Sequence, residues 1–282
     1  MSNTLSTKRD TWNTIGIFLI FLTVFTTIAH YAIVNLNPTS KYVGFLMLSP
    51  MFATLVTLKI KGRSIKTLPW QLQNWKFLGF GYLIPVLYIT IAYVLLWILG
   101  FGDILNTETL AEWSVELGFE ETNTTGTLIV MILLLAIIGV VKNLGAVFGE
   151  ELGWRGFFIF ELRKVMSFRA LAIVSGLIWS AFHWPIIIYY VGGNTLFHIS
   201  AFTVMIVAMS VIMGYYTFKS NSLWPAVIFH SVHNIYIQKI FTPLTISKEN
   251  TSLWIDEYGL MIPIVTTIFA IYYWRKAASE NL

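Results

Sequence analysis

The chain has no cysteine and few charged residues. Without cysteine, neither disulfide bonds nor thiolate metal sites can form. Charged residues account for 11% of the 282 residues, whereas a soluble domain carries about 25%. The sequence has no basic stripe and no nucleic-acid-binding motif, so nucleic-acid partners are excluded. With 56% hydrophobic residues, the composition favours a protein embedded in the lipid bilayer.

Long apolar runs predict an all-α, polytopic transmembrane helical bundle. A bilayer core about 30 Å thick requires roughly 20 apolar residues per helix. Eight segments approach that length: 14–36, 42–58, 77–99, 127–149, 170–190, 197–217, 224–241 and 257–274. They predict one integral-membrane domain over residues 1–282, with no soluble domain attached.

The placement of lysine and arginine predicts the orientation in the membrane. Cytoplasmic loops carry an excess of these residues, and with eight spans thirteen of the 18 fall on the side of the N-terminus and three on the other side, with Lys142 and Arg155 within or near a span. We therefore expect both termini to be cytoplasmic. The longest loop on the other side, 100–126, is acidic and has no base. Within it, 107–120 fits either a short amphipathic surface helix or a solvated acidic loop.

Two adjacent acids follow the fourth predicted span. An ionised acid at the centre of a membrane helix costs about 2.5–3.5 kcal/mol. In a continuing helix, Glu151 and Arg155 share a face and can pair, whereas Glu150 points elsewhere without that partner. The alternative is an interfacial ion pair that ends the helix. Glycines recur at four-residue spacing, at Gly145, Gly149 and Gly153. This small-residue spacing predicts close approach of another helix.

Polar residues also interrupt two later spans. The fifth span contains Trp179 and His183, and the seventh contains His230 and Asn234, which share one face, with His233 on its flank. A single membrane histidine is often a satisfied hydrogen-bonding group between helices. Three polar sites on three spans of so apolar a chain favour a functional site.

The three motifs together resemble the CPBP family, which comprises the CAAX proteases and bacteriocin-processing enzymes and is also called the Abi family. The motifs are Glu-Glu-x-x-x-Arg, an aromatic-x-x-x-His and His-x-x-x-Asn, in this order on the fourth, fifth and seventh spans within about 127–241. Trp179 stands where eukaryotic members usually have phenylalanine, which is a mild departure.

The resemblance implies an intramembrane endopeptidase with eight helices and a peptide or protein substrate in the bilayer. Whether the substrate is lipidated stays open. Bacterial members of the family are linked to peptide maturation, signalling and bacteriocin immunity. The short, loop-poor chain favours such a member, in a bacterial cell membrane.

With this resemblance, each motif residue is expected to have one role. Glu150 would act as the base that activates water, and His183 would hold that water. His230 and Asn234 would donate hydrogen bonds to the oxyanion. Glu151 and Arg155 would fix the end of the fourth span and tune Glu150.

A metal-dependent mechanism is the alternative. Glu150, His183 and His230 would supply a His₂-carboxylate set, which is the ligand set of some catalytic zinc sites. No H-E-x-x-H helix is present to place two ligands on one turn. The sequence therefore leaves open whether the enzyme uses Zn²⁺ or no cofactor.

The predicted boundaries place the site residues at different depths. Glu150 lies just beyond the fourth span, whereas His183 lies towards the middle of the fifth. At 1.5 Å rise per residue, upright helices would separate the extremes by roughly 20 Å. Tilt, a kink near Pro185 or a fourth span shifted towards its C-terminal end must therefore bring them to one cavity open to the cytoplasm.

Two non-enzymatic functions remain as alternatives. A proton-coupled transporter would also bury glutamate and histidine, but the sequence has no matching pair of Gly/Pro-broken spans in two halves. A non-catalytic scaffold or immunity protein would keep the same fold. All motif positions are filled, which favours the enzyme. Lys142, close before Glu150, has no predicted role.

Overall fold

The computed structural model describes residues 2–36, 40–72, 75–120 and 123–282. Within these ranges the chain forms nine helices, α1 (Ser2–Asn35), α2 (Ser40–Ile60), α3 (Trp75–Ile98), α4 (Thr107–Leu117), α5 (Thr124–Arg163), α6 (Phe168–Val191), α7 (Thr195–Ser220), α8 (224–244) and α9 (Met261–Ser279). Two three-residue strands, β1 (Gly102–Ile104) and β2 (Thr245–Ser247), pair antiparallel. The predicted all-α membrane bundle is confirmed.

In the part of the chain that the structure describes, six helices are long and apolar enough to cross a membrane. They are α1, α2, α3, α5, α6 and α7. The predicted seventh span is also helical, and so is the eighth from Met261 onwards, whereas its predicted residues 257–260 lie in a loop; α8 carries the polar site residues, and α9 carries Arg275 and Lys276 near its C-terminal end. Both pack against α3 and α7, and α8 also packs against α5. Two of the eight predicted spans, those that correspond to α8 and α9, are therefore not apolar enough to count as membrane-crossing helices by composition.

Helix α5 differs most from its prediction. It has 40 residues and continues through the predicted end at residue 149 to Arg163. Two π-helical turns, Leu135–Gly139 and Trp154–Phe158, lie within it. The acids do not end the helix, because Glu151 and Arg155 satisfy each other inside the bundle. Glu150 consequently lies about 20 Å before the end of α5, at 1.5 Å per residue.

Glycines bring α5 and α2 into close contact. A Cβ atom built on Gly153 would lie 2.3 Å from Cβ of Pro50, and one on Gly149 would lie 2.7 Å from Cδ2 of Leu48. Such distances exclude any side chain larger than hydrogen unless the helices separate. Gly145 has open space around it. The predicted close approach is therefore confirmed at two of the three glycines.

The acidic segment after α3 forms the amphipathic helix α4. Leu110 and Trp113 are buried on one face, whereas Glu108, Glu112 and Glu116 are exposed on the other. The buried face packs in a cluster with residues of α5 and α8. Of the two alternatives for this segment, the structure contains the helix.

Residues 248–260, here called the β2–α9 loop, turn back into the bundle. Trp254 stacks on Phe101 with ring centroids 3.9 Å apart. Asp256 adopts a positive φ of 66°, and its Oδ1 accepts a 2.6 Å hydrogen bond from the backbone N–H of Glu257. This turn directs the Glu257 side chain inward, where it is 7% exposed.

Candidate active site

A cavity of about 290 Å³ lies between α2, α5, α6, α7, α8 and the β2–α9 loop. The predicted site residues that line it are Glu150, Trp179, His183, His230 and Asn234. Helices α2 and α7 supply mainly apolar walls. The sequence motifs of α5, α6 and α8 are therefore brought together around one space.

Glu150 is held at one oxygen and open at the other. Its Oε2 accepts a 2.8 Å hydrogen bond from the Trp179 indole N–H. Its Oε1 lies 4.0 Å from Nε2 of His183, which is too far for a direct hydrogen bond. Oε1 has no hydrogen-bond donor among the described residues and is not fully enclosed, so it faces the cavity. The side chain as a whole is only 1% exposed.

The proton position on His183 follows from its partner. Nδ1 lies 3.1 Å from the backbone oxygen of Trp179. A carbonyl oxygen only accepts hydrogen bonds, so Nδ1 carries the proton and the Nε2 of a neutral ring carries a lone pair. Nε2 and Glu150 Oε1 are thus two acceptors facing one another. A water molecule that donates one proton to each fits this arrangement.

Glu151 connects Arg155 to His230. Its Oε1 accepts a hydrogen bond from Nη1 of Arg155 at 3.1 Å and another from Nδ1 of His230 at 2.9 Å. This fixes the His230 ring with Nε2 as its remaining nitrogen. The expected pairing of Glu151 with Arg155 is therefore present, but it lies well inside α5 and not at the end of a span.

Arg155 also supports the indole that holds Glu150. Its Nη2 donates to Oγ of Ser210 at 3.2 Å, and its guanidinium carbon lies 4.0 Å from the centroid of the Trp179 ring. A planar guanidinium stacks well on an indole face. The two acids thus have separate surroundings that Arg155 connects.

A second polar group at the same cavity was not anticipated as part of the site. Nδ1 of His233 hydrogen-bonds the hydroxyl of Tyr88, and its Nε2 lies 3.4 Å from Oε1 of Glu257. Gln238 donates to the same Oε1 at 3.0 Å. No sequence motif includes Glu257, because it reaches the site on the β2–α9 loop, outside the motif-bearing helices.

The three predicted metal ligands do not form a metal-binding set. Within the described ranges, no three histidine, aspartate or glutamate side chains are grouped so as to hold a metal ion. Nδ1 of His230 bonds Glu151, and Oε2 of Glu150 bonds Trp179. These two hydrogen bonds leave Nε2 of His230 and Oε1 of Glu150 free, whereas a catalytic zinc site needs three grouped protein ligands, and no such group is found among the described residues.

Continuation of α5 removes the expected mismatch in depth. Glu150 lies about 20 Å before Arg163, and His183 lies about 22 Å after the start of α6 at Phe168, at 1.5 Å per residue. The connection between α5 and α6 is short, so the two residues reach similar depths. Lys142 is exposed and does not line the cavity.

Comparison with known proteins confirms the resemblance that the motifs carry. Residues 125–236 match the family model for the type II CAAX prenyl endopeptidase Rce1-like proteins. The chain is 29% identical over 140 residues to CAAX prenyl protease 2 of Methanococcus maripaludis, a match that covers 47% of this chain and 48% of that protein. The chain thus spans about half the length of this curated relative. The residues matched by the family model include every predicted site residue.

Proposed function

We propose that the chain is an intramembrane endopeptidase that hydrolyses a peptide bond with a water molecule activated by Glu150. The observation that carries the proposal is the free Oε1 of Glu150, which faces Nε2 of His183 across 4.0 Å at the wall of the cavity. The similarity to CAAX prenyl proteases supports the reaction class.

The attacking water occupies the space between Glu150 and His183. Because both facing atoms are acceptors, the water donates both protons and turns its lone pairs towards the substrate. Glu150 removes one proton as the water attacks the carbonyl carbon, and returns it to the leaving amine nitrogen. Trp179 keeps the carboxyl in place through Oε2, which leaves Oε1 for this transfer.

His230 and Asn234 stabilise the oxyanion. With Nδ1 donating to Glu151, His230 offers an N–H to the cavity through Nε2 when it is an imidazolium. The adjacent Glu151 carboxylate stabilises that charge, and the buried group of Glu150, Glu151, Arg155 and His230 is then electrically neutral. Asn234 lines the same cavity and supplies an amide N–H.

The substrate is a peptide or protein segment that binds in the cavity, and a lipidated segment is included in this class. In the orientation predicted from the lysine and arginine residues, the Arg163 end of α5 and both termini face the cytoplasm. The cavity then lies about 20 Å from that end of α5, at 1.5 Å per residue.

A substitution at Glu150 separates the proposal from its non-enzymatic alternatives. Peptides from membranes of cells with the wild-type chain, Glu150→Gln and the exposed α4 control Glu112→Gln are compared by mass spectrometry. A protease loses a set of peptide ends in Glu150→Gln alone, at equal expression. Peptide ends that do not depend on Glu150, together with an unchanged cellular phenotype, would favour a scaffold.

A transporter is distinguished by reconstitution. Purified wild-type protein in vesicles is assayed for peptide cleavage and for proton-coupled uptake of the same peptides. The proposal expects cleavage without net uptake, and uptake of intact peptide would contradict it.

A further inference from the structure

The lining of the cavity contains a second carboxylate besides the Glu150 base, and no lysine or arginine of the described lining balances its charge. Its described lining includes two carboxylates, Glu150 and Glu257, and no lysine or arginine. Arg155 lies behind Trp179 and pairs with Glu151. Among the described residues, Glu257 therefore has no lysine or arginine partner, although its side chain is only 7% exposed.

The hydrogen bonds of Glu257 all reach one of its two oxygens. Oε1 is 3.4 Å from Nε2 of His233 and accepts from Nε2 of Gln238 at 3.0 Å. Oε2 has no donor among the described residues and is not fully enclosed, so it opens to the cavity. This carboxylate is thus fixed in place with one oxygen available to a ligand.

His233 does not need to be charged to satisfy both of its partners, Tyr88 and Glu257. The Tyr88 hydroxyl can donate to Nδ1 while Nε2–H donates to Glu257, so a neutral imidazole satisfies both contacts. Burial alone would raise the pKa of Glu257, but the hydrogen bond and electrostatic attraction to His233, with smaller contributions from the Gln238 hydrogen bond and from His183, lower it overall. The β2–α9 loop therefore presents an ionised carboxylate.

The remaining walls set the rest of the ligand's chemistry. Phe202, Met205, Ile206 and Met209 of α7 face Val43 and Leu46 of α2. An apolar peptide segment packs well against these walls, and a cationic nitrogen can donate a hydrogen bond to Oε2 of Glu257. An anionic group at the same place would meet a carboxylate in a poorly solvated space.

We propose that Glu257 is a specificity residue that binds an ammonium or guanidinium group on an otherwise apolar peptide substrate. That the bound peptide is a substrate rests on the proposed endopeptidase function. The cation site itself rests only on the residues that line the cavity. A lysine or arginine side chain and a free amino terminus offer the same chemistry.

Binding without turnover tests the site. In the Glu150→Gln background, affinities are measured for terminally blocked apolar hexapeptides in which lysine, methionine or glutamate is scanned through each position. At one position lysine is expected to bind roughly 10- to 100-fold more tightly than methionine, the effect of a hydrogen bond to a charged group. Glutamate at that position is expected to bind least tightly.

Adding Glu257→Gln removes the preference for lysine, because the amide keeps the shape and the Oε1 contacts without the charge. The matched control is Glu249→Gln, an exposed acid of the same loop, which should retain the preference. Glu257→Asp, which keeps the charge on a shorter side chain, should restore part of it. Equal binding of the lysine and methionine peptides at every position would overturn the proposal, as would a preference that persists in Glu257→Gln.

Two further arms separate the possible sources and the possible failures. A methionine peptide with a free amino terminus that binds as tightly as the blocked lysine peptide identifies the terminus as a ligand of Glu257, and weaker binding identifies the side chain. Cleavage by the wild-type protein is followed separately. If the lysine preference holds but no peptide is cleaved under any condition, the endopeptidase function fails and the cation site stands.

Discussion

Glu150 and Glu151 are neighbours in sequence with different surroundings, because adjacent helical residues point about 100° apart. Glu151 accepts from a guanidinium and an imidazole. Glu150 accepts from an indole and keeps one oxygen free. The helix thus places one carboxylate of the pair between two nitrogen donors and the other at the wall of the cavity.

Arg155→Ala tests how much the buried charge pairing contributes to stability. The substitution leaves one uncompensated negative charge in the buried group of Glu150, Glu151 and His230, and breaking a buried ion pair in this way costs about 3–5 kcal/mol in soluble proteins. We expect a large fall in Tm in detergent. Lys142→Ala, which removes an exposed cation from the same helix, should leave Tm nearly unchanged. A loss of Tm equal in both variants would contradict the assigned pairing.

Asn234→Ala tests the oxyanion contact. Removing one such donor typically lowers turnover by about 10²–10³. The effect should fall on kcat with little change in KM, since the contact forms only as the carbonyl becomes tetrahedral. Peptide cleavage at saturating and limiting substrate separates the two constants. A rise in KM at unchanged kcat would instead assign Asn234 to ground-state binding.

At the scale of the helices, α5 depends on its approach to α2. The sequence predicted the approach from glycine spacing, but not that α5 continues to Arg163. A span predicted from apolar residues ends where the charged residues begin. The groups that pair with those charged residues, and so allow them to lie inside the bundle, are on α8 and within α5 itself. The same limit explains α8, whose polar residues reduce its apolarity although it packs within the bundle.

The substitution Gly153→Ala tests how much the close approach of α5 to α2 contributes to stability. A Cβ at this position would lie 2.3 Å from Cβ of Pro50, so α2 must move away from α5. Overpacking of this kind costs typically about 1–3 kcal/mol, and a lower Tm is expected. Gly145→Ala is the matched control, since its site is open and alanine favours a helix. If both variants have the wild-type Tm, the close packing of the two helices is not required for stability.

At the scale of the whole molecule, the motif residues and the bundle class were predictable, because polar residues in so apolar a chain stand out. The contribution of the β2–α9 loop to the lining of the cavity was not predictable. Glu257 lies outside the motifs, and its place at the cavity depends on the turn at Asp256 and on contacts between Trp254 and Phe101. Such long-range contacts leave no periodic signal in sequence.

The same loop predicts how stability of the folded chain depends on pH. Burial, with a smaller contribution from Glu257, raises the pKa of Asp256 from 3.8 to about 7. The unfolded carboxyl therefore ionises at lower pH than the folded one. The folded state loses stability as pH rises from about 4, and the loss is complete above about pH 7. Glu257, whose pKa is lowered, stays ionised from pH 5 to 8 and adds no slope there.

Asp256→Asn should reduce the fall in Tm between pH 5 and pH 8. Asparagine keeps an oxygen that can accept from the backbone N–H of Glu257, so the turn is preserved without a titrating group. Asp103→Asn, on neighbouring β1 with an exposed carboxyl paired to Lys248, should keep the wild-type slope. Because the histidines are the same in all three proteins, the difference between the slopes reports Asp256. An unchanged slope in Asp256→Asn would mean that this carboxyl is already ionised in the folded protein at pH 5.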